Sequence, residues 1–112
     1  MYDHYYTRGD TGPILQDRLL TPSLQDYDLT GHEVQFTAEL LDDPSVTVSQ
    51  AGTVDETEVT GKRPFANLIP AGVFPAAGIW LYRWKATIQG VTYSFPNDGE
   101  PWTVLVSEPP GA

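Results

Sequence analysis

The chain has 112 residues, about one domain, which buries roughly 60–70% of the surface exposed by its unfolded form. Fifteen acidic against six basic side chains leave a formal net charge of −9, which argues against a nucleic-acid surface, where phosphate contacts need clustered Lys and Arg. With no cysteine there is neither a disulfide nor a thiolate metal site, and no signal peptide or membrane segment is visible, so a soluble product made in a reducing cytosol is expected.

Three Trp, four Phe and six Tyr supply bulk for a core, while ten Pro and ten Gly call for many turns. The charge is uneven: residues 1–61 carry twelve acids and two bases, whereas 62–112 carry three acids and four bases. Such a split can orient a subunit within an assembly, although an acidic surface that maintains solubility is the plainer reading.

Residues 1–13 lack an alternating face long enough for a core strand and read as an extended N-terminal arm. Tyr2, Tyr5 and Tyr6 give the arm apolar area with polar tips, suited to docking on a partner. A mobile terminus, or one folded back on its own domain, is the plainer reading.

Ile14 to Leu20 reads as the first strand, with either Leu15, Asp17 and Leu19 or the opposite set turned inward. Thr21 to Ser23 breaks it, and the connection that follows closes with Leu29 under the sheet and a turn at Gly31. Val34, Phe36, Ala38 and Leu40 then alternate with Glu33, Gln35, Thr37 and Glu39, one apolar face against one wet face. Val46 to Val48 is a short strand and Gln50 to Gly52 a turn. The acidic Val54 to Val59 suits an edge strand or a sheet-crossing loop. Phe65 to Ile69 is another short strand, and residues 71–78 form a loop in which Phe74 plugs the core.

The clearest signal is Trp80 to Ile88. Trp80, Tyr82, Trp84, Ala86 and Ile88 fall on one face of an extended strand, with Arg83, Lys85 and Thr87 on the other. A Gln89-Gly90 turn, a strand from Val91 to Phe95, an Asn97-Asp98-Gly99 turn and a last strand from Trp102 to Val106 complete the chain. About seven strands without an amphipathic helix predict an all-β fold, an immunoglobulin-like antiparallel β-sandwich over residues 14–107, followed by a short tail at 108–112. A small barrel fits the same pattern.

Four short motifs add a comparison: Gly9-Asp10-Thr11-Gly12-Pro13, Asp28-Leu29-Thr30-Gly31, Ala77-Gly78-Ile79-Trp80 and Phe95-Pro96-Asn97-Asp98-Gly99. In this order and spacing the chain resembles, over residues 9–107, the immunoglobulin-like domain at the amino end of tailed-phage baseplate upper proteins, and related small phage virion proteins. The resemblance implies a non-enzymatic structural subunit of a bacteriophage virion, made in the host cytoplasm. It would act as an adaptor or decoration of tail, baseplate, neck or head, its partners being other virion proteins and copies of itself, with no nucleic acid and no membrane.

No residue constellation offers catalytic chemistry. His4 and His32 are the only imidazoles, and His32 beside Glu33 on a strand points to the opposite face, a poor chelate. No serine lies in a Gly-x-Ser-x-Gly elbow, and the acids at Asp26, Asp28, Asp42-Asp43 and Asp55-Glu56 lack the spacing of a calcium loop. No cofactor and no metal are therefore expected. Arg8-Gly9-Asp10 matches an adhesion tripeptide but is short enough to arise by chance. The alternative function is a host-surface carbohydrate module using exposed aromatics or the Pro70–Gly78 loop; Trp80, Tyr82 and Trp84 could form its platform, but a packed core explains those rings better, because their face continues into Ala86 and Ile88. Tyr2, Tyr5, Tyr6, Arg83 and Lys85 are thus the candidate partner-binding residues, the two cations facing acidic surface on a neighbouring copy.

Overall fold

A computed structural model describes residues 2–96 and 99–110. Among these residues the chain is all-β: β1 (His4–Thr7), β2 (Leu15–Arg18), β3 (Glu33–Leu40), β4 (Asp43–Ala51), β5 (Thr53–Val54), β6 (Phe65–Leu68), β7 (Gly78–Ile88), β8 (Val91–Phe95) and β9 (Trp102–Ser107). Six strands form one sheet in the order β1-β9-β7-β3-β4, with β8 also paired to β7; β2, β6 and β5 form a second.

β7 organises the larger sheet because its eleven residues serve three neighbours. Its first half pairs with β9, its second half with β8, and its other side runs antiparallel to β3 from Glu33↔Thr87 to Leu40↔Trp80. Strand alternation turns Trp80, Tyr82, Trp84 and Ala86 inward at 0–1% exposure. They meet Val34, Phe36 and Ala38 of β3, Val104 and Val106 of β9, and Leu15, Ala66 and Leu68 from the second sheet in one core. Phe36 stacks on Tyr82 at 5.0 Å and meets Trp84 edge-on at 5.5 Å, arrangements that add to simple burial. Because these rings are buried, no sugar-binding platform exists on that face.

Several expectations need correction. Residues 1–13 are not a free arm: β1 pairs in parallel with β9, from His4↔Val104 to Thr7↔Ser107. Tyr6 enters the core at 4% exposure, beside Phe74, with its hydroxyl donating to the Asp10 carbonyl at 2.7 Å. The signal was hidden because four residues give too little alternation and the partner strand lies at the other end of the chain. The strands number nine rather than about seven, and the larger sheet is mixed rather than purely antiparallel.

The turn expected at Gln50 to Gly52 is the end of a nine-residue strand instead. Gly52 follows it as the chain crosses to the second sheet, and space is what requires glycine there. A Cβ at 52 would stand 2.3 Å from the Trp84 ring and 2.8 Å from the Asn67 carbonyl. Leu29 and Phe74 are buried as the sequence suggests. The expected turn residues Asn97 and Asp98, and Gly111 and Ala112 of the tail, lie outside the described residues.

Candidate functional site

Two places concentrate polar chemistry or exposed bulk. The first lies between the sheets, where β2 turns Leu15, Asp17 and Leu19 inward. Asp17 breaks an otherwise apolar set, and three donors explain why it is tolerated. Its Oδ2 accepts from Tyr82 Oη at 2.9 Å and Trp84 Nε1 at 2.8 Å, and its Oδ1 lies 2.9 Å from His4 Nε2. The carboxylate thereby ties β1 and β7 of one sheet to β2 of the other, at 12% side-chain exposure.

The hydrogen bond that His4 donates to Asp17 raises the His4 pKa, against the opposing pull of burial. Burial, with the Asp17 charge second, pushes the Tyr82 hydroxyl far above its ordinary value, so it remains a donor. Since all three donors point at one carboxylate, the arrangement is a staple between sheets. Buried Tyr and Trp need acceptors, and this was the one sequence signal for an inward Asp17.

The second place is the outer face of the larger sheet. Residues paired across a ladder share a face, so the registers lay out its rows. One row runs through Tyr5 of β1, Leu105 of β9 and Ile79 of β7. Leu41, whose amide donates to the Ile79 carbonyl at 2.8 Å, prolongs it. This apolar row spans about 14 Å at the usual strand spacing. Tyr5 is 62% and Leu41 46% exposed, and Tyr2 meets Tyr5 edge-on at 5.8 Å.

Polar rows follow on the same face. Thr103, Leu81, Glu39 and Thr47 make the next one, bordered by Asp3, whose carboxylate accepts from the Thr103 amide at 2.8 Å. Arg83, Thr37 and Ser49 make another, and Ser94, Lys85, Gln35 and Ala51 the one beyond. An apolar strip with one aromatic end and a polar border has the anatomy of a protein-docking patch.

The structure thus brings four of the five candidate residues, Tyr2, Tyr5, Arg83 and Lys85, to this side of the sheet, and sends Tyr6 to the core. Arg83 is engaged within the chain: its guanidinium donates to the Pro96 carbonyl at 3.3 Å and the Gly99 carbonyl at 2.6 Å, tethering the segment after β8. Lys85 is exposed and makes no hydrogen bond or ion pair with another described residue. Leu41, Ile79 and Leu105 were missed because single apolar residues on the wet side of a strand carry no meaning until the register aligns them.

Three of the arginines are paired with acids within the chain. Arg18 pairs with Asp26 at 2.5 Å, Arg63 with Glu56 at 2.8 Å and Glu58 at 3.4 Å, and Arg8 with Glu108 at 2.6 Å. The Arg18 hydrogen bond lowers the Asp26 pKa, and the Thr30 hydroxyl and amide lower that of Asp28. Asp55, held by Thr57, Asn67 and Gln16, falls to about 2. The pairing of Arg8 also removes it from any adhesion motif. No family model, curated protein or solved structure matches this chain.

Proposed function

We propose that the chain is a non-enzymatic structural subunit of a bacteriophage virion, an immunoglobulin-like adaptor or decoration domain that docks through the outer face of its six-stranded sheet. The observation that carries docking is the outer-face row Tyr5, Leu105, Ile79 and Leu41, exposed at its two ends and half-buried at Leu105 and Ile79, extended by Tyr2 and bordered by polar residues. Burying such a row contributes roughly 25 cal/mol per Å² of apolar surface, and the aromatic end is the kind of anchor that dominates interface energies.

The virion assignment is supported by the order of the four motifs. Three stand before or at the opening of a strand, before β2, before β3 and at the start of β7, and the fourth begins at the last residue of β8, ahead of β9. In the second, Asp28 accepts from both the amide and the hydroxyl of Thr30 while Leu29 is buried. The engaged carboxylate of Asp17 and the local pairing of the other acids favour a structural role over catalysis.

The test is a double substitution on the row, Tyr5→Asp with Leu41→Asp, introduced into the phage that encodes the chain. Both side chains are exposed, so the domain should fold and melt as before. Incorporation into purified particles should fall at least tenfold. Normal occupancy of the variant would sink the proposal.

A further inference from the structure

At its far edge the larger sheet ends on β4, which pairs with β3 alone. The Gly52 amide donates to the Val34 carbonyl at 3.0 Å, which sets the phase of this ladder. Backbone groups alternate in direction along an antiparallel strand, so those of Val48 and Gln50 face β3 while those of Thr47, Ser49 and Ala51 face outward. These three residues are exposed, and no turn or side-chain hydrogen bond described reaches their backbone.

Edge strands are usually blunted by charge, proline, bulges or shortness. The first part of β4 is blunted in this way: the register slips between Glu39↔Thr47 and Leu40↔Asp43, leaving Pro44, Ser45 and Val46 as a bulge. The second part, Thr47-Val48-Ser49-Gln50-Ala51, has no charge, proline or glycine, in a chain of net charge −9. By contrast, β2 carries Asp17 and Arg18, and β1 and β5 have four and two residues.

We propose that Thr47–Ala51 is a self-pairing edge that joins two copies of this chain, antiparallel, about a two-fold axis at Ser49. Under that symmetry Thr47 faces Ala51 of the other copy, Ser49 faces its own counterpart, and Val48 faces Gln50. All outward amides and carbonyls are then paired without opposing any charge. The nearest acid on the face, Glu39, lies one strand behind Thr47, so the two copies of it, three strand spacings across and four residues along, stand about 20 Å apart, beyond the screening length at physiological salt. The opposite charges of acidic and basic patches play no part, which separates this contact from one mediated by Lys85.

Because paired residues share a face, the axis stands perpendicular to the sheet. Both outer faces then point the same way, and each dimer presents two copies of the apolar row side by side. A five-residue edge is far smaller than the 20–30 residues a side of an ordinary stable interface, so the dimer forms at high concentration or where copies are held together. The pairing does not depend on the virion reading.

Hydrogen exchange of the whole chain, measured residue by residue from about 10 μM to 1 mM, tests it. The amides of Thr47, Ser49 and Ala51 should gain at least tenfold protection with concentration, whereas Val48 and Gln50 are protected throughout. Both variants lose the Ser49 hydroxyl that accepts from Gln35 Nε2 at 2.8 Å; Ser49→Pro also removes an outward amide and Ser49→Lys places like charges at the axis, and each should abolish the gain and leave a monomer by sedimentation. Two variants guard against one that fails to fold, as read by the melting curve. Outward amides that stay unprotected at 1 mM, protection that appears on β8 instead, or dimerisation unchanged in a folded variant would each overturn the proposal.

Discussion

The two faces of β7 are built from the same eleven residues and do opposite things. Inward, Trp80, Tyr82 and Trp84 lock together with Phe36 and send their polar atoms to Asp17 or, for Trp80, to the Ala76 carbonyl at 3.1 Å. Outward, Ile79 is half-buried in the apolar row and Leu81 half-buried in the row of polar residues beside it, and Lys85 reaches solvent. Tyr5 and Tyr6 repeat the contrast one residue apart on β1. The same residue type therefore serves stability on one side and is left at the surface, where the proposed docking would use it, on the other, and the register decides which.

Breaking the inner side should cost most. Asp17→Ala leaves the Trp84 and Tyr82 donors without an acceptor and releases His4, at about 1–3 kcal/mol for each orphaned group, so a loss of about 3–5 kcal/mol is expected in urea denaturation. If stability fell by less than about 1 kcal/mol, the staple would not hold the sheets together. Tyr6→Ala should cost about 3 kcal/mol as a buried ring, and Tyr5→Ala about 0.5 kcal/mol or less as an exposed one. Equal losses at the two tyrosines would erase the difference between the faces.

Gly52→Ala sharpens the inner boundary. The added methyl meets the Trp84 ring and a backbone carbonyl, so overpacking should destabilise by about 1–3 kcal/mol, and a neutral result would mean that the ring moves freely. The smallest effects are those of pH. His4 has a raised pKa in the fold, so the stability it adds is full below its ordinary 6.5 and is lost as pH rises through the folded value. Asp55 is lowered to about 2, so its contribution is present above its ordinary 3.8 and is lost as pH falls toward 2. Melting temperatures across pH 2–8 should lose the alkaline change in His4→Gln and the acid change in Asp55→Asn.

Much of the inner face was legible from the sequence. Alternation over β3 and β7 is long enough to assign its faces, and Leu29 and Phe74 are apolar residues in connections with nowhere else to go. β1 was not legible, since its four residues gain meaning only from a parallel partner about 100 positions away. Asp17 left the facing of β2 open, because a carboxylate inside a core makes sense only once its donors are placed. Among the candidate docking residues, the tyrosine composition could not separate the exposed Tyr5 from the buried Tyr6. The aligned row through Leu105, Ile79 and Leu41 exists only in the register.

The central claim is that the outer face docks on a neighbour within a virion. A reconstruction of the intact particle at side-chain resolution tests it most directly. The expected result is this chain in ordered positions, with Tyr5, Leu105, Ile79 and Leu41 buried against another subunit. A particle in which that face is turned to solvent, or which lacks the chain altogether, would contradict the claim.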